Sequence, residues 1–172
     1  MNNPRILYPT PDGGVSLSQE RIHELFYYEN GSLYWKTPTS FRCQPGDEAG
    51  SVNGDGRRYV KVDGRAHLVH RLIFCFHHGH CPQYLDHIDR NCSNNKIENL
   101  RPATRSQNNR NKSISKSNRT GFKGIYKQGN KFKATICVNK KNIYLGSYDT
   151  PEQAQQAYAE AAATHFKEFA HV

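Results

Sequence analysis

Apolar positions change their period several times along the chain, and each change marks an element. After Ser18, the residues Ile22, Leu25 and Phe26 form one stripe at helical spacing, with Leu17 placed to staple onto Ile22, so a helix is predicted over residues 19–27. Residues 1–17 are rich in turn formers (Pro4, Pro9, Pro11, Gly13, Gly14) and read as loose. Asn30-Gly31, set between Phe26-Tyr27-Tyr28 and Leu33-Tyr34-Trp35, predicts a tight hairpin. Residues 59–62, an Asp63-Gly64 turn and residues 65–68 predict a second strand pair. Helical spacing then returns at Leu68, Val69, Leu72, Ile73 and Phe76, and Gly79 is placed to end that segment. His70 lies on or beside this stripe and reads as structural; His77, His78 and His80 read as a solvated helix end.

Downstream, strands are predicted near residues 84–87 and 100–103, separated by a polar loop and followed by a helix capped by Thr104. The stretch 112–119 (Lys-Ser-Ile-Ser-Lys-Ser-Asn-Arg) reads as a flexible basic linker. Beyond it, residues 121–126, 131–138 and 142–148 predict three strands with short polar turns between them. In the middle strand Phe132, Ala134, Ile136 and Val138 face one way, while Lys131, Lys133, Thr135 and Cys137 face the other; Ile143 and Leu145 extend the apolar face. Thr150, Pro151 and Gln153 form a full helix-start signal, and Ala154, Ala157, Tyr158, Ala161, Ala162 and Phe166 make the stripe that lies against the sheet. The fold class expected is α+β. It comprises a small mixed module over 1–67, a core over 68–112, the 113–119 linker and a three-stranded antiparallel sheet packed on one helix over 120–172.

Composition sharpens this division. With 35% hydrophobic residues and a mean hydropathy of −0.86, 172 residues do not build one large core, and small modules fit better. The net charge is +9, and between Glu98 and Asp149 there are twelve basic residues and no acidic one. A one-sided field of this kind attracts a polyanion. The five cysteines (Cys43, Cys75, Cys81, Cys92, Cys137) are odd in number and form no CxxC pair, so they read as reduced thiols of a cytoplasmic protein with no signal peptide. Cys75, Cys81 and Cys92 with His77, His78 and His80 are too loosely spaced for a structural zinc site, and zinc is not expected. No apolar run approaches the ~20 residues a membrane span needs.

Chemistry concentrates in Asp86-His87 and the polar run to Asn99-Leu100-Arg101, with Asn108 nine residues beyond Asn99. A carboxylate and an amide carbonyl are hard oxygen ligands of the sort Mg²⁺ accepts, and a neutral imidazole beside them can take a proton from water. The set, with Val69-His70-Arg71-Leu72 and Pro82-Gln83-Tyr84-Leu85 before it, resembles the HNH nuclease motif, the ββα-metal fold of phage and intron homing endonucleases. The resemblance implies His87 as general base, Asp86 and Asn108 as ligands of Mg²⁺ or Mn²⁺, and Asn99 as the residue bracing the hairpin. Arg101, Arg105 and Arg110 are candidates for phosphate contact. The third letter of the motif is Asn here rather than His. Regular strand alternation would send Asp86 and His87 to opposite faces, so the strand must end or distort there for both to serve one site.

The pattern over 120–172 resembles the Apetala/ethylene-response-factor type of DNA-binding domain, which reads the major groove with its sheet. That resemblance puts Lys123, Tyr126, Lys131, Lys133, Thr135 and Tyr144 on the reading face, with Lys and Tyr standing where plant members use Arg and Trp. Lysine lacks the bidentate guanine contact, so weaker discrimination among sequences is expected. The sequence thus reads as a metal-dependent DNA endonuclease of homing type, a monomer or weak dimer that nicks double-stranded DNA in the cytoplasm of a bacterial host. Two alternatives are a sequence-specific DNA-binding regulator with a relict nuclease core and a protein drawn to RNA by charge alone.

Overall fold

The computed structural model describes residues 17–111, 114 and 118–170. The expected loose stretch before Leu17, and residues 112, 113 and 115–117 of the expected linker, lie outside the described residues. The chain falls into two compact units, divided between Arg105 and Ser106.

The first unit opens with helix α1 (Gln19–Leu25), whose Ser18 cap accepts from the Arg21 N–H at 3.2 Å. The helix ends two residues before the expected limit, because Phe26 is claimed by strand pairing. β1 (Phe26–Glu29) and β2 (Ser32–Trp35) form an antiparallel hairpin in which Phe26 faces Trp35. Asn30 and Gly31 both adopt positive φ (48° and 89°), as this two-residue turn demands. A three-stranded antiparallel sheet follows, built from β3 (Ser51–Val52), β4 (Arg58–Val62) and β5 (Arg65–Leu68). The short, exposed β3 carries no alternation and was invisible to pattern reading.

α2 (Val69–His78) runs from β5 and stops at Gly79, which takes the left-handed conformation (φ 74°) and donates its N–H to Cys75 O. Then come the strands of the polar hairpin, β6 (Tyr84–His87) and β7 (Leu100–Ala103), joined by the loop 88–96 and a 3₁₀ turn at Ile97–Asn99. Leu72 and Ile73 of α2 are wholly buried and share one apolar cluster with Ile22, Phe26, Leu33, Val62, Leu85 and Leu100. Full burial of each such side chain contributes about 1.5–3 kcal/mol, so α2 is the pillar on which both the N-terminal hairpin and the polar hairpin rest. Arg71 completes the link: its buried guanidinium donates to the carbonyls of Pro82 (2.7 Å) and Gln83 (3.3 Å), holding the segment that leads into β6.

The second unit begins with most of α3 (Arg105–Asn111) and continues as β8 (Ile125–Gln128), β9 (Lys131–Val138) and β10 (Lys141–Tyr148), in the antiparallel order β10-β9-β8. The register shifts between Tyr144 and Gly146, making Leu145 a bulge residue packed toward the apolar side. α4 (Pro151–Phe166) covers that side through Ala154, Ala162 and Phe166 against Ala134, Ile136 and Ile125. Ile143, expected to extend the apolar face, pairs with Ile136 yet stays 39% exposed. Gly124 sits where the chain passes under α4: a Cβ there would lie 2.3 Å from Thr135 O and 2.5 Å from the Tyr158 ring.

The start of α4 is a reciprocal cap, with Gln153 N–H donating to Thr150 Oγ1 (3.3 Å) and Thr150 N–H donating to Gln153 Oε1 (3.4 Å). Replacing Thr150 by Ala should lower the stability of the second unit by about 1 kcal/mol. Denaturant unfolding followed by a probe in that unit should show the loss, with the transition of the first unit unmoved.

Candidate active site in the polar hairpin

β6 and β7 pair so that Asp86 stands opposite Arg101 and His87 opposite Leu100. Leu85, Asp86 and His87 are all buried, so the strand loses its simple in–out alternation at its last residues. His87 is the last residue of β6. After it the Ile88 N–H donates to Asn99 O (2.9 Å), the Arg90 N–H returns to His87 O (3.0 Å), and Arg90 takes positive φ (65°). Regular pairing runs through both Asp86 and His87, so the strand ends just after the two side chains and not between them.

Asp86 is 4% exposed, and its Oδ2 accepts from Arg101 Nε at 3.0 Å with Arg101 Nη2 at 2.9 Å from the same oxygen. A buried carboxylate is stable only with a positive or hydrogen-bonding partner, and the fold supplies a guanidinium. His87 Nε2 lies 3.0 Å from Oδ1 of the buried Asn95. With that oxygen as acceptor, Nε2 carries the proton and the ring's lone pair is on Nδ1. The ring of His70, from α2, packs 5.0 Å from that of His87 at 58°. Burial, with His87 and Arg71 adding to it, holds the His70 imidazole well below the ordinary histidine range, so it is neutral at pH 7.

Asn99 closes the loop. Its Oδ1 accepts from the Asp89 N–H (3.0 Å), and its Nδ2 donates to Asp89 Oδ1 (2.9 Å) and to Asn94 O (2.7 Å). Partial burial alone would raise the Asp89 carboxyl, but hydrogen bonds from Asn94, the Asn91 N–H and Asn99 outweigh it and hold the group below its ordinary value. The N-terminal elements buttress the same loop from outside. Tyr28 Oη accepts from the Ile97 N–H (3.2 Å), and Gly56 O accepts from Ser93 Oγ (3.1 Å) and Cys92 Sγ (3.5 Å). A Cβ at Gly31 would come within 2.9 Å of Lys96 N, so only glycine lets the first hairpin turn approach this loop so closely.

The structure thus brings together Asp86, His87, Asn99 and Arg101 of the residues singled out from sequence. Arg105 is exposed at the start of α3. Asn108 lies farther along α3, in the second unit. Arg110 stacks its guanidinium 4.2 Å above the Phe166 ring, and its carbonyl accepts from Lys123 Nζ at 3.0 Å. Lys123 is thereby engaged beside α3 rather than on a strand. Tyr126, Lys131, Lys133, Thr135 and Tyr144 do share one sheet face, because the register pairs Tyr126 with Lys133 and Thr135 with Tyr144. Lys133 Nζ lies 5.9 Å from the Tyr144 ring centroid, and Lys131 pairs with Asp149. Asn95, Asn94, Asp89 and the neighbour role of His70 escaped sequence reading: polar residues in an Asn-rich loop look alike until their burial is known.

Among the described residues no group of three or more His, Cys, Asp or Glu is placed to hold a metal, and burial pushes the Cys81 thiol up to about 11. No helix of the described residues is long and apolar enough to cross a membrane. Residues 67–110 match the sequence family described as HNH endonuclease. Over 105 residues the chain is 41% identical to a protein of Acanthamoeba polyphaga mimivirus named "Uncharacterized HNH endonuclease L560", an overlap covering 59% of this chain and 54% of that protein. The match therefore spans about half the length of that relative. No solved structure matches the chain.

Asn99→Ala removes three hydrogen bonds and leaves Asp89 and Asn94 without their shared partner. The first unit should lose about 1–2 kcal/mol, since each lost hydrogen bond is worth about 0.5–1.5 kcal/mol net and water re-solvates the exposed Asp89. The hydrogen-bonded Asp89 carboxylate contributes stability above the ordinary carboxyl range, and that contribution fades as pH falls through its lowered value. The gap between the unfolding midpoints of wild type and Asn99→Ala should accordingly narrow as pH falls from 6 to 3 without closing, because two of the lost bonds are to backbone groups that do not titrate.

Proposed function

We propose that this chain is a metal-dependent DNA endonuclease that hydrolyses phosphodiester bonds in duplex DNA, nicking one strand per event. The observation that carries the reading is the pair at the end of β6. A buried carboxylate is followed directly in sequence by a buried imidazole hydrogen-bonded to Asn95, inside the segment that matches the HNH endonuclease family.

In this reading His87 accepts a proton from water at Nδ1, while the Nε2–H···Oδ1 bond to Asn95 orients the ring and steadies it as it becomes positive. His70 packs against the ring without adding charge. Asn99 fixes the loop that carries Asn95, and so sets the position of the base indirectly. The donor set suits a hard cation: Asp86 offers a carboxylate that the fold already matches with positive charge, and Asn108 offers an amide oxygen on the strength of the motif alone. Bound there, Mg²⁺ or Mn²⁺ would neutralise charge on the scissile phosphate and on the departing 3′ oxygen. The products would be a 5′ phosphate and a 3′ hydroxyl. A homing enzyme of phage type, free-standing or intron-encoded, is the biological setting we infer.

The second unit is, in the same reading, the part that grips DNA, as an Apetala/ethylene-response-factor type of sheet would. Supporting this are the cations and phenols aligned on the sheet face opposite α4, and the long run of the chain without an acidic residue.

Replacing His87 by Ala should slow nicking of supercoiled plasmid by at least ~10²-fold in Mg²⁺ while leaving DNA affinity nearly unchanged. Wild-type cleavage that survives EDTA, or a His87→Ala variant that cuts at full rate, would refute the mechanism. Lys133→Ala should weaken duplex binding and make the slope of log affinity against log salt shallower by about 1. Fluorescence titration at several salt concentrations reads both effects.

A further inference from the structure

Asp86 and Arg101 are directly opposed across β6 and β7, and two guanidinium nitrogens, Nε and Nη2, lie within 3.0 Å of one carboxylate oxygen. Nε donates the hydrogen bond to Oδ2, and Nη2 adds its positive charge at 2.9 Å from the same oxygen. The pair is enclosed, Arg101 being 13% and Asp86 4% exposed, so water screens it poorly. Arg101 was expected here as a candidate phosphate contact. It is found instead as the positive partner of the one carboxylate that the proposed reaction assigns to metal binding.

Two cations that need the same oxygen compete for it. We propose that Arg101 is a built-in counter-ion, a positioning residue that holds Asp86 in the free protein and must yield Oδ2 before a divalent cation can bind there. The proposal rests on the reading of Asp86 as a metal ligand. It has two consequences. The Asp86 side chain is already in place on its strand, because a guanidinium anchored on β7 holds it in the absence of metal. Divalent cations bind the free protein weakly, because each must displace a charge-assisted interaction to enter. A nucleic-acid phosphate, itself an anion, offers the displaced guanidinium a new partner, so metal entry and DNA binding favour each other.

A purely structural Arg101, there only to keep the strands in register, makes the opposite prediction about metal. Removing it would loosen the hairpin and weaken any cation site. The two accounts separate in the full-length protein without DNA, with Mn²⁺ as the probe. Arg101→Met keeps the apolar length of the side chain and removes the charge. Calorimetric or paramagnetic titration should show Mn²⁺ bound at least about tenfold more tightly than by wild type. Mn²⁺ should also raise the melting temperature of Arg101→Met more than that of wild type, since it replaces the missing partner of a buried carboxylate. The gain should vanish in Asp86→Asn/Arg101→Met. If Arg101→Met does not fold, Arg101→Lys carries the test: the flexible ammonium keeps the charge but loses the fixed Nε–H···Oδ2 geometry, and the tightening should be a smaller one in the same direction.

Equal or weaker Mn²⁺ binding by the folded variants overturns the proposal. If wild type then nicks DNA with Mg²⁺ and Asp86→Asn does not, the counter-ion role alone has failed and the nuclease reading stands. If neither protein nicks, the nuclease reading has failed with it.

Discussion

Placing a carboxylate inside a hairpin of four-residue strands costs several kcal/mol unless positive charge goes in with it. That constraint organises the first unit. Asp86 lies opposite Arg101 because the strands pair in one register, and the register is held by Leu85 and Leu100 entering a core shared with α2. A slip by one residue would turn Asp86 away from its partner and push both leucines toward solvent. Apolar packing and ion pairing thus select the same alignment, and the position of His87 follows from it.

The loop between the strands meets a second demand of the same kind. It is too long for a tight turn and too polar to collapse, so its backbone groups must find partners by other means. Asparagines do most of this. Asn99 closes the loop from within, Asn94 and Asn91 converge on Asp89, and Asn95 turns inward to the imidazole. The outer supports come from the N-terminal hairpins, through Tyr28, Gly31 and Gly56, all within one unit. An Asn-rich loop is ordinarily a place of conformational freedom. Here the amides, with the Asn91 N–H, fix one conformation of the loop that holds the His87 ring.

Legibility followed the range of the interactions. α2 with its Gly79 stop, the Asn30-Gly31 hairpin and the reciprocal cap of α4 are written in residues a few positions apart, and all were readable. The end of α1 was not, because Phe26 is drawn into a strand by Trp35, nine positions on. Nor was β3, which has two exposed residues and no pattern. In the hairpin, the spaced set from Asp86 to Asn99 stood out as chemistry, but its partners did not. Arg101 read only as a candidate phosphate contact because its match to Asp86 depends on a strand register set across a twelve-residue connection, 88–99. Lys123 looked like a strand residue, whereas its ammonium reaches the Arg110 carbonyl across thirteen positions of sequence.

The bulge at Leu145 bears on how the molecule behaves in a crowd. β10 is an eight-residue strand at the margin of its sheet, and a straight margin of that length is a template onto which another chain can add. The extra residue breaks the even run of donors and acceptors near the middle of the strand and bends it away from a flat line. Lysines 140 and 141 stand at its beginning and repel a like copy approaching from that end. The irregularity that lets Leu145 pack beneath α4 also guards against edge-to-edge aggregation.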